Sequence, residues 1–385
     1  MRRIVCILLF ACFCCFVSAQ SKLDSVINKL GNDFIKEKEA VGLSIGLLKD
    51  GKISYYNFGA TSHVNGRLPT ENTIYEIGSV TKTFVSFILA NAVLEQKLNL
   101  NDDIRKYLDE PYPNLEYQGE PVRLVHLANT TSLLPDWLPE IPAGISKLPA
   151  DSALLLKTNY YKGLTGKDLL KALRTVKIDT VPGTKTHHSN AAAQLLAYIL
   201  EKVYQMPMDK LIAKYISIPF KMKNTSFPGR GKVKGLATGY TSEGKIAAYE
   251  SVMPYFQYAG GLRSSASDMT AYLKAFVESA NKAAILSTKK TVDIDASNGN
   301  ITTMRPESIA APEVYSVCLN WLKYQPEATG SQVWADGGTN GFNSYAVIYP
   351  YQKSGIVLLA NKSSEKIFRG LPGIAYEISK AIEKK

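Results

Sequence analysis

The 385-residue chain is almost without cysteine once its first residues are set aside. Four of its five cysteines, Cys6, Cys12, Cys14 and Cys15, crowd the amino terminus, and only Cys318 lies beyond. A disulfide framework is therefore excluded, and stability has to come from an apolar core, which a chain of this length can bury. There is no low-complexity tract, no internal repeat and no run of like charge. That excludes a disordered nucleic-acid arm and a solenoid. The four histidines form no metal-ligand spacing: His63 lies in a polar loop, His126 precedes apolar Leu127-Ala128, and adjacent His187 and His188 point apart.

The amino-terminal apolar run is also too short to cross a bilayer. Ile4–Val17 falls below the roughly 20 residues a membrane helix needs, follows Arg2-Arg3, and ends in Ser18-Ala19-Gln20, a small-residue cleavage pattern. Residues 1–19 thus read as a secretory leader cut after Ala19, which predicts an exported protein, periplasmic or secreted, with no membrane span after cleavage. The rival is a lipoprotein leader attached through Cys12, since Leu9-Phe10-Ala11-Cys12 loosely resembles a lipobox. Without the leader, 43 basic residues face 34 acidic ones, an excess of +9. These lysines are spread evenly, as on a solvated surface.

What is present is strand-like at both ends and helical between. Apolar spacing over Leu23, Val26, Ile27, Leu30, Phe34 and Ile35 predicts an amphipathic helix over Ser21–Lys38. Leu43–Leu48 and Ile53–Asn57 flank Asp50-Gly51, a favoured hairpin turn. Tyr345–Tyr349 and Ile356–Leu359 form a second strand pair, followed by a helix over Ile374–Ile382. Helical patterns cover Thr83–Leu94, Gly166–Leu173, Ala191–Val203 and Met208–Tyr215. The fold class expected is α/β (α+β): an antiparallel sheet flanked by helices, built from both chain ends, with an inserted, mainly helical region. Residues 20–385 are expected to form one domain, with its sheet part at 20–78 and 255–385 and its helical part at 79–254. A cleft between the two parts is the natural place for a site.

Ile77-Gly78-Ser79-Val80-Thr81-Lys82-Thr83-Phe84 leads into an apolar helix. If Ser79 begins that helix, Lys82 lies on the same face, three residues on, and its amine reaches the hydroxyl. A buried lysine with a lowered pKa can take the serine's proton, and backbone N–H groups at a helix start can stabilise an oxyanion. Alone, Ser-x-x-Lys equally describes a helix cap beside a surface lysine.

The wider pattern resembles the class C β-lactamase and DD-peptidase-like serine hydrolases, in family order along nearly the whole chain after the leader. Carrying the resemblance are Val41-Gly42-Leu43-Ser44, Gly78–Lys82, Asn129–Asp136, Pro182-Gly183-Thr184 leading to Ser189-Asn190, Ala259-Gly260-Gly261-Leu262 and Gly337–Tyr345. It implies Ser79 as nucleophile, Lys82 as base, Asn190 holding Lys82, and oxyanion donors at Ser79 and Gly338. It implies no metal and no cofactor, and a small-molecule or peptide substrate, cell-wall material among the options, rather than nucleic acid.

Two departures bear on substrate. The family's Tyr-x-Asn is His188-Ser189-Asn190 here. Either His188 shuttles protons in place of the tyrosine, as an imidazole can near neutral pH, or that function is gone. The family's Lys or His, any residue, then Gly, on the strand that lines the cleft and expected at the sheet edge, is Ala335-Asp336-Gly337. The cation that holds a substrate carboxylate is missing, so anionic β-lactams should be poor substrates. Asp336 is either a solvated side chain or one that faces an amine-bearing substrate. The expected activity is hydrolysis of an ester, amide or D-amino-acid peptide through an acyl-Ser79 intermediate. The competing expectation is a penicillin- or cell-wall-peptide-binding protein without turnover. Cys318, in an apolar run, reads as core.

Overall fold

The computed structural model describes residues 22–37, 39–148, 150–228, 234–247, 254–278, 280–295, 314–324 and 331–383. The leader expected at 1–19 lies outside the described residues. The first hairpin joins β1 (Gly42–Lys49) to β2 (Lys52–Gly59). Asp50 and Gly51 turn it with φ of 49° and 77°, the left-handed pair that matches the twist of the flanking strands. The chain returns to this sheet only after residue 291. It adds β3 (Val292–Asp295), β4 (Val314–Val317), β5 (Leu322–Tyr324), β6 (Gln332–Gly338), β7 (Asn343–Tyr349) and β8 (Ser354–Ala360). The sheet is antiparallel throughout, in the order β2-β1-β8-β7-β6-β5-β4-β3, so the two chain ends meet where β1 pairs with β8.

Period-2 alternation splits the apolar residues between two cores. Leu43, Ile45, Val347, Ile356 and Leu358 face α1 (22–37) and α5 (Glu365–Glu383), meeting Leu23, Ile27 and Phe34 of the first and Ile367, Leu371 and Ile378 of the second. Ala346, Val357 and Leu359 face the helical region, whose centre is α2 (Thr81–Leu94), α3 (Asn190–Tyr204) and α4 (Ala266–Val277). Phe84, Phe87, Ile88, Leu195 and Leu273 are fully buried there, each contributing about 1.5–3 kcal/mol relative to exposure.

The expected fold class and inserted helical region are found, with four local differences. The terminal helix begins at Glu365, nine residues before the expected Ile374, and carries Pro372 inside it. A proline costs a helix interior about 3 kcal/mol, and burial of Ile367, Leu371 and Ile374 outweighs it. The helix expected over Met208–Tyr215 stays α-helical only to Ile212 and widens into a π-turn over Ala213–Ser217. The short strands β3, β4 and β5 carry too little alternation to be legible, yet they extend the sheet beyond β6. Consequently β6 is not an edge strand over its whole length. Val333 and Trp334 pair with β5 on one side and β7 on the other, Gln332 pairs with β5, and Ala335–Gly338 pair with β7 alone among the described residues. Only this second half leaves a free edge.

A two-stranded ribbon, Ile74–Glu76 with Arg263–Ser265, delivers the chain to the start of α2. Its Glu76 and Arg263 form a buried ion pair, Nη2 to Oε1 at 3.2 Å, with side chains only 3% and 6% exposed. Glu76→Ala removes the carboxylate from this buried pair and should lower stability by about 3–5 kcal/mol. Guanidinium unfolding would register this as a lower midpoint, and an unchanged midpoint would contradict it.

Candidate active site

Ser79 sits in a tight 3₁₀ turn, Gly78–Val80, and α2 proper begins two residues later at Thr81. The turn is clamped from both sides. Ile77 N–H donates to Leu262 O at 3.0 Å, and the Ser344 hydroxyl of β7 donates to Ile77 O at 2.8 Å. Gly78 has φ of 51°, and a Cβ there would lie 2.5 Å from Gly338 N; a Cβ on Gly337 would lie 2.8 Å from Ser79 N. Only glycines allow this backbone contact. It sets the Ser79 N–H, in a first turn where N–H groups have no intrahelical acceptor, against the free-edged end of β6. The Ser79 turn and the Gly338 end of β6 are thereby in backbone contact.

Lys82 is 4% exposed, and its Nζ touches three oxygens. It lies 2.8 Å from Ser79 Oγ, 2.8 Å from Asn190 Oδ1 and 2.7 Å from Ala259 O. An ammonium donates to all three. A neutral amine keeps two donors for Asn190 and Ala259, and its lone pair then points at the Ser79 hydroxyl. Burial lowers the Lys82 pKa to about 8, against the opposing pull of the Asp136 and Asp336 charges.

Asp136, at the amino terminus of α3, is a residue for which sequence reasoning found no role. Its Oδ1 accepts from Asn190 N and Nδ2, both at 3.0 Å, and lies 2.9 Å from His188 Nδ1. Its carbonyl accepts from Asn190 N and Ala191 N, each at 3.1 Å. Burial works against its charge, but the His188 contact, the Asn190 amide and Lys82 hold its pKa below the ordinary value. An ionised carboxylate only accepts, so His188 donates to it through Nδ1. Among the described residues the His188 side chain bonds to Asp136 and not to Ser79, although it lines both cavities that reach Ser79. The only sequence signal for Asp136 was its place at the end of Asn129–Asp136; spacing gives none, because 52 residues separate it from His188.

Two cavities meet at Ser79, His188 and Gly338. The larger, about 630 Å³, is lined by Trp137, Lys157, Asn190 and Phe256. The smaller, about 370 Å³, is lined by Lys82, Thr186, Trp321, Trp334, Ala335 and Asp336. Burial pushes the Asp336 carboxyl up to about 7, with Lys82 opposing. Cys318 is fully buried and burial pushes its thiol up to about 12, so it is inert core. His126 accepts from Arg123 N at 3.1 Å, and burial lowers its pKa to about 4, keeping it neutral. His187 takes part in no metal-ligand group among the described residues.

The chain is similar to known proteins in sequence and in fold. The sequence profile of the family described as Beta-lactamase matches residues 27–374. A β-lactamase of Yersinia enterocolitica is 24% identical, with 97% of this chain and 96% of that protein aligned. A β-lactamase of Pseudomonas fluorescens is 27% identical over 88% and 93% of the two chains. Among solved structures, a β-lactamase/D-alanine carboxypeptidase from Yersinia pestis superposes with a TM-score of 0.77 at 22% identity, covering 94% of this chain and 99% of that one.

Two pH responses follow from the burial of Lys82 and Asp336. If neutral Lys82 takes the Ser79 proton, kcat/KM on a neutral ester should rise about tenfold per pH unit below 8 and level off above it; a flat profile from pH 6 to 9 would exclude that role. Asp336 has a raised folded-state pKa, so ionising it costs stability: nothing below about pH 4, increasingly up to about 7, and constantly above. Asp336→Asn should therefore melt at a higher temperature than the parent at pH 8, with the difference vanishing towards pH 4.

Proposed function

The chain belongs to the β-lactamase family of serine hydrolases, and we propose that it is an exported hydrolase acting through an acyl-Ser79 intermediate on an ester, an amide or a D-amino-acid-containing peptide. The observation that carries this reading is the Lys82 amine held by Asn190 Oδ1 and Ala259 O with its third contact on Ser79 Oγ. Neutral Lys82 takes the hydroxyl proton as Oγ attacks the carbonyl, and the Ser79 and Gly338 amides bind the oxyanion. Collapse expels the leaving group, which takes the proton back from Lys82. His188, with Nδ1 held by Asp136, uses Nε2 to draw a proton from the water that releases the acyl group. Asp136 is thus a positioning residue that fixes the tautomer and aligns Asn190.

β-Lactam hydrolysis is expected to be weak. The small, buried Ala335 stands where the family places a cation, and the next residue, Asp336, repels a substrate carboxylate once ionised. The Yersinia pestis relative is a D-alanine carboxypeptidase as well as a β-lactamase, which keeps cell-wall peptides among the substrates to be tried.

A fluorophosphonate should label the purified protein on Ser79, and Ser79→Ala should lose both label and ester turnover; an unlabelled protein would overturn the proposal. His188→Ala and Asp136→Asn should each cut kcat about 10²–10⁴-fold, the range for general acid–base groups. The double variant should be little worse than either single one, because the pair acts as a unit. Additive losses would remove Asp136 from the positioning role.

A further inference from the structure

The smaller cavity holds a carboxyl that no described residue bonds. Asp336 is the partly accessible residue between buried Ala335 and Gly337, and the only charge acting on it comes from Lys82. Lys82 does not bond to it, because its three donors are already directed at Ser79, Asn190 and Ala259. Three polar atoms of residues in the cavity wall, Thr186 Oγ1, Trp321 Nε1 and Trp334 Nε1, have no partner among the described residues, and none of them donates to Asp336 either. Its carboxylate, in a partly enclosed cavity and with no donor among the described residues, is open to a donor that a ligand brings.

The walls say what that would be. Trp321, Trp334 and Phe368 are among the residues that line the cavity, the two indoles almost wholly buried, and Asp336 is the one carboxylate among them, so the wall favours an organic cation over an anion. The lysine of the larger cavity, Lys157, lies over the Trp137 ring at 4.5 Å and does not line the smaller one. The two compartments flank the nucleophile, so a substrate bound at Ser79 extends one fragment into each.

We infer that Asp336 is the specificity residue of this hydrolase and that the fragment entering the smaller cavity bears a protonated amine, set against the Asp336 carboxylate. The inference rests on the acyl-Ser79 reading and names its substrate class: amine-bearing esters, amides or amino-terminal peptides rather than carboxylate-bearing ones. The raised carboxyl pKa, about 7, means that the carboxylate form prevails at pH 8, where a primary alkylamine is still protonated.

The test compares n-butylamine, n-butanol and butyrate, alike in size, as inhibitors of neutral p-nitrophenyl ester turnover at pH 8. The amine should bind about 10- to 100-fold more tightly than the alcohol, the range for a hydrogen bond to a charged group, and butyrate weakest. Asp336→Asn should bring amine and alcohol within about twofold, and Asp336→Lys should reverse the order of amine and butyrate. Fluorophosphonate labelling of Ser79 checks each variant for an intact site. An amine that binds no better than the alcohol to labelled wild-type protein would overturn the inference while leaving the hydrolase reading in place. If Ser79 is not labelled, the hydrolase reading fails separately. The same three compounds are then ranked by thermal shift, which needs no turnover, and the same order supports Asp336 as an amine site while equal shifts overturn it.

Discussion

The rest of the site depends on how a buried amine is satisfied. Lys82 Nζ has two fixed acceptors that serve either protonation state, Asn190 Oδ1 and Ala259 O, and a third contact that can reverse. Were the ammonium solvated, its pKa would stay near that of a free lysine and Ser79 would have no base. Were it buried without acceptors, it would not be tolerated. The fold resolves this by bringing α2, α3 and the Gln257–Gly260 turn to one point.

That convergence places demands on each partner. Asn190 can offer its oxygen to Lys82 only because Asp136 takes its Nδ2 hydrogen, and the same Asp136 oxygen lies against His188 Nδ1. One carboxylate thereby holds both Asn190, which contacts Lys82, and His188. On the other side, Gly78 and Gly337 let two backbones touch, so the Ser79 turn packs directly on the end of β6. The ion pair beneath them, Glu76 with Arg263, fixes the ribbon from which the turn departs.

Charge in the cleft then bears on what can enter. Replacing a cation by Ala335 removes attraction for an anion, and Asp336 supplies the opposite sign in the same compartment. Its carboxyl and Lys82 influence each other, the lysine easing ionisation of the acid and the acid favouring the ammonium. Between pH 7 and 8 both groups change charge, which couples substrate charge to the state of the base.

The sequence by itself determined the elements whose information is local. The Asp50-Gly51 hairpin, the amphipathic helix at 22–37, and the helices beginning near Thr81, Gly166 and Asn190 follow from turn chemistry and periodicity. Ser79, Lys82, Asn190 and Gly338 stand out by motif order along the chain, and the structure brings Lys82 against Ser79 and Asn190. Tertiary structure decided what depends on distant residues meeting. Asp136 acquires its role only because α3 starts beside it, and the free half-edge of β6 exists because β5 is three residues long. The terminal helix runs through Pro372 because its apolar face has a sheet to cover. By its sequence neighbours Asp336 could be an ordinary solvated side chain; its place in a cavity wall with Ser79 and Lys82, with no donor among the described residues, is not encoded within a few residues of it.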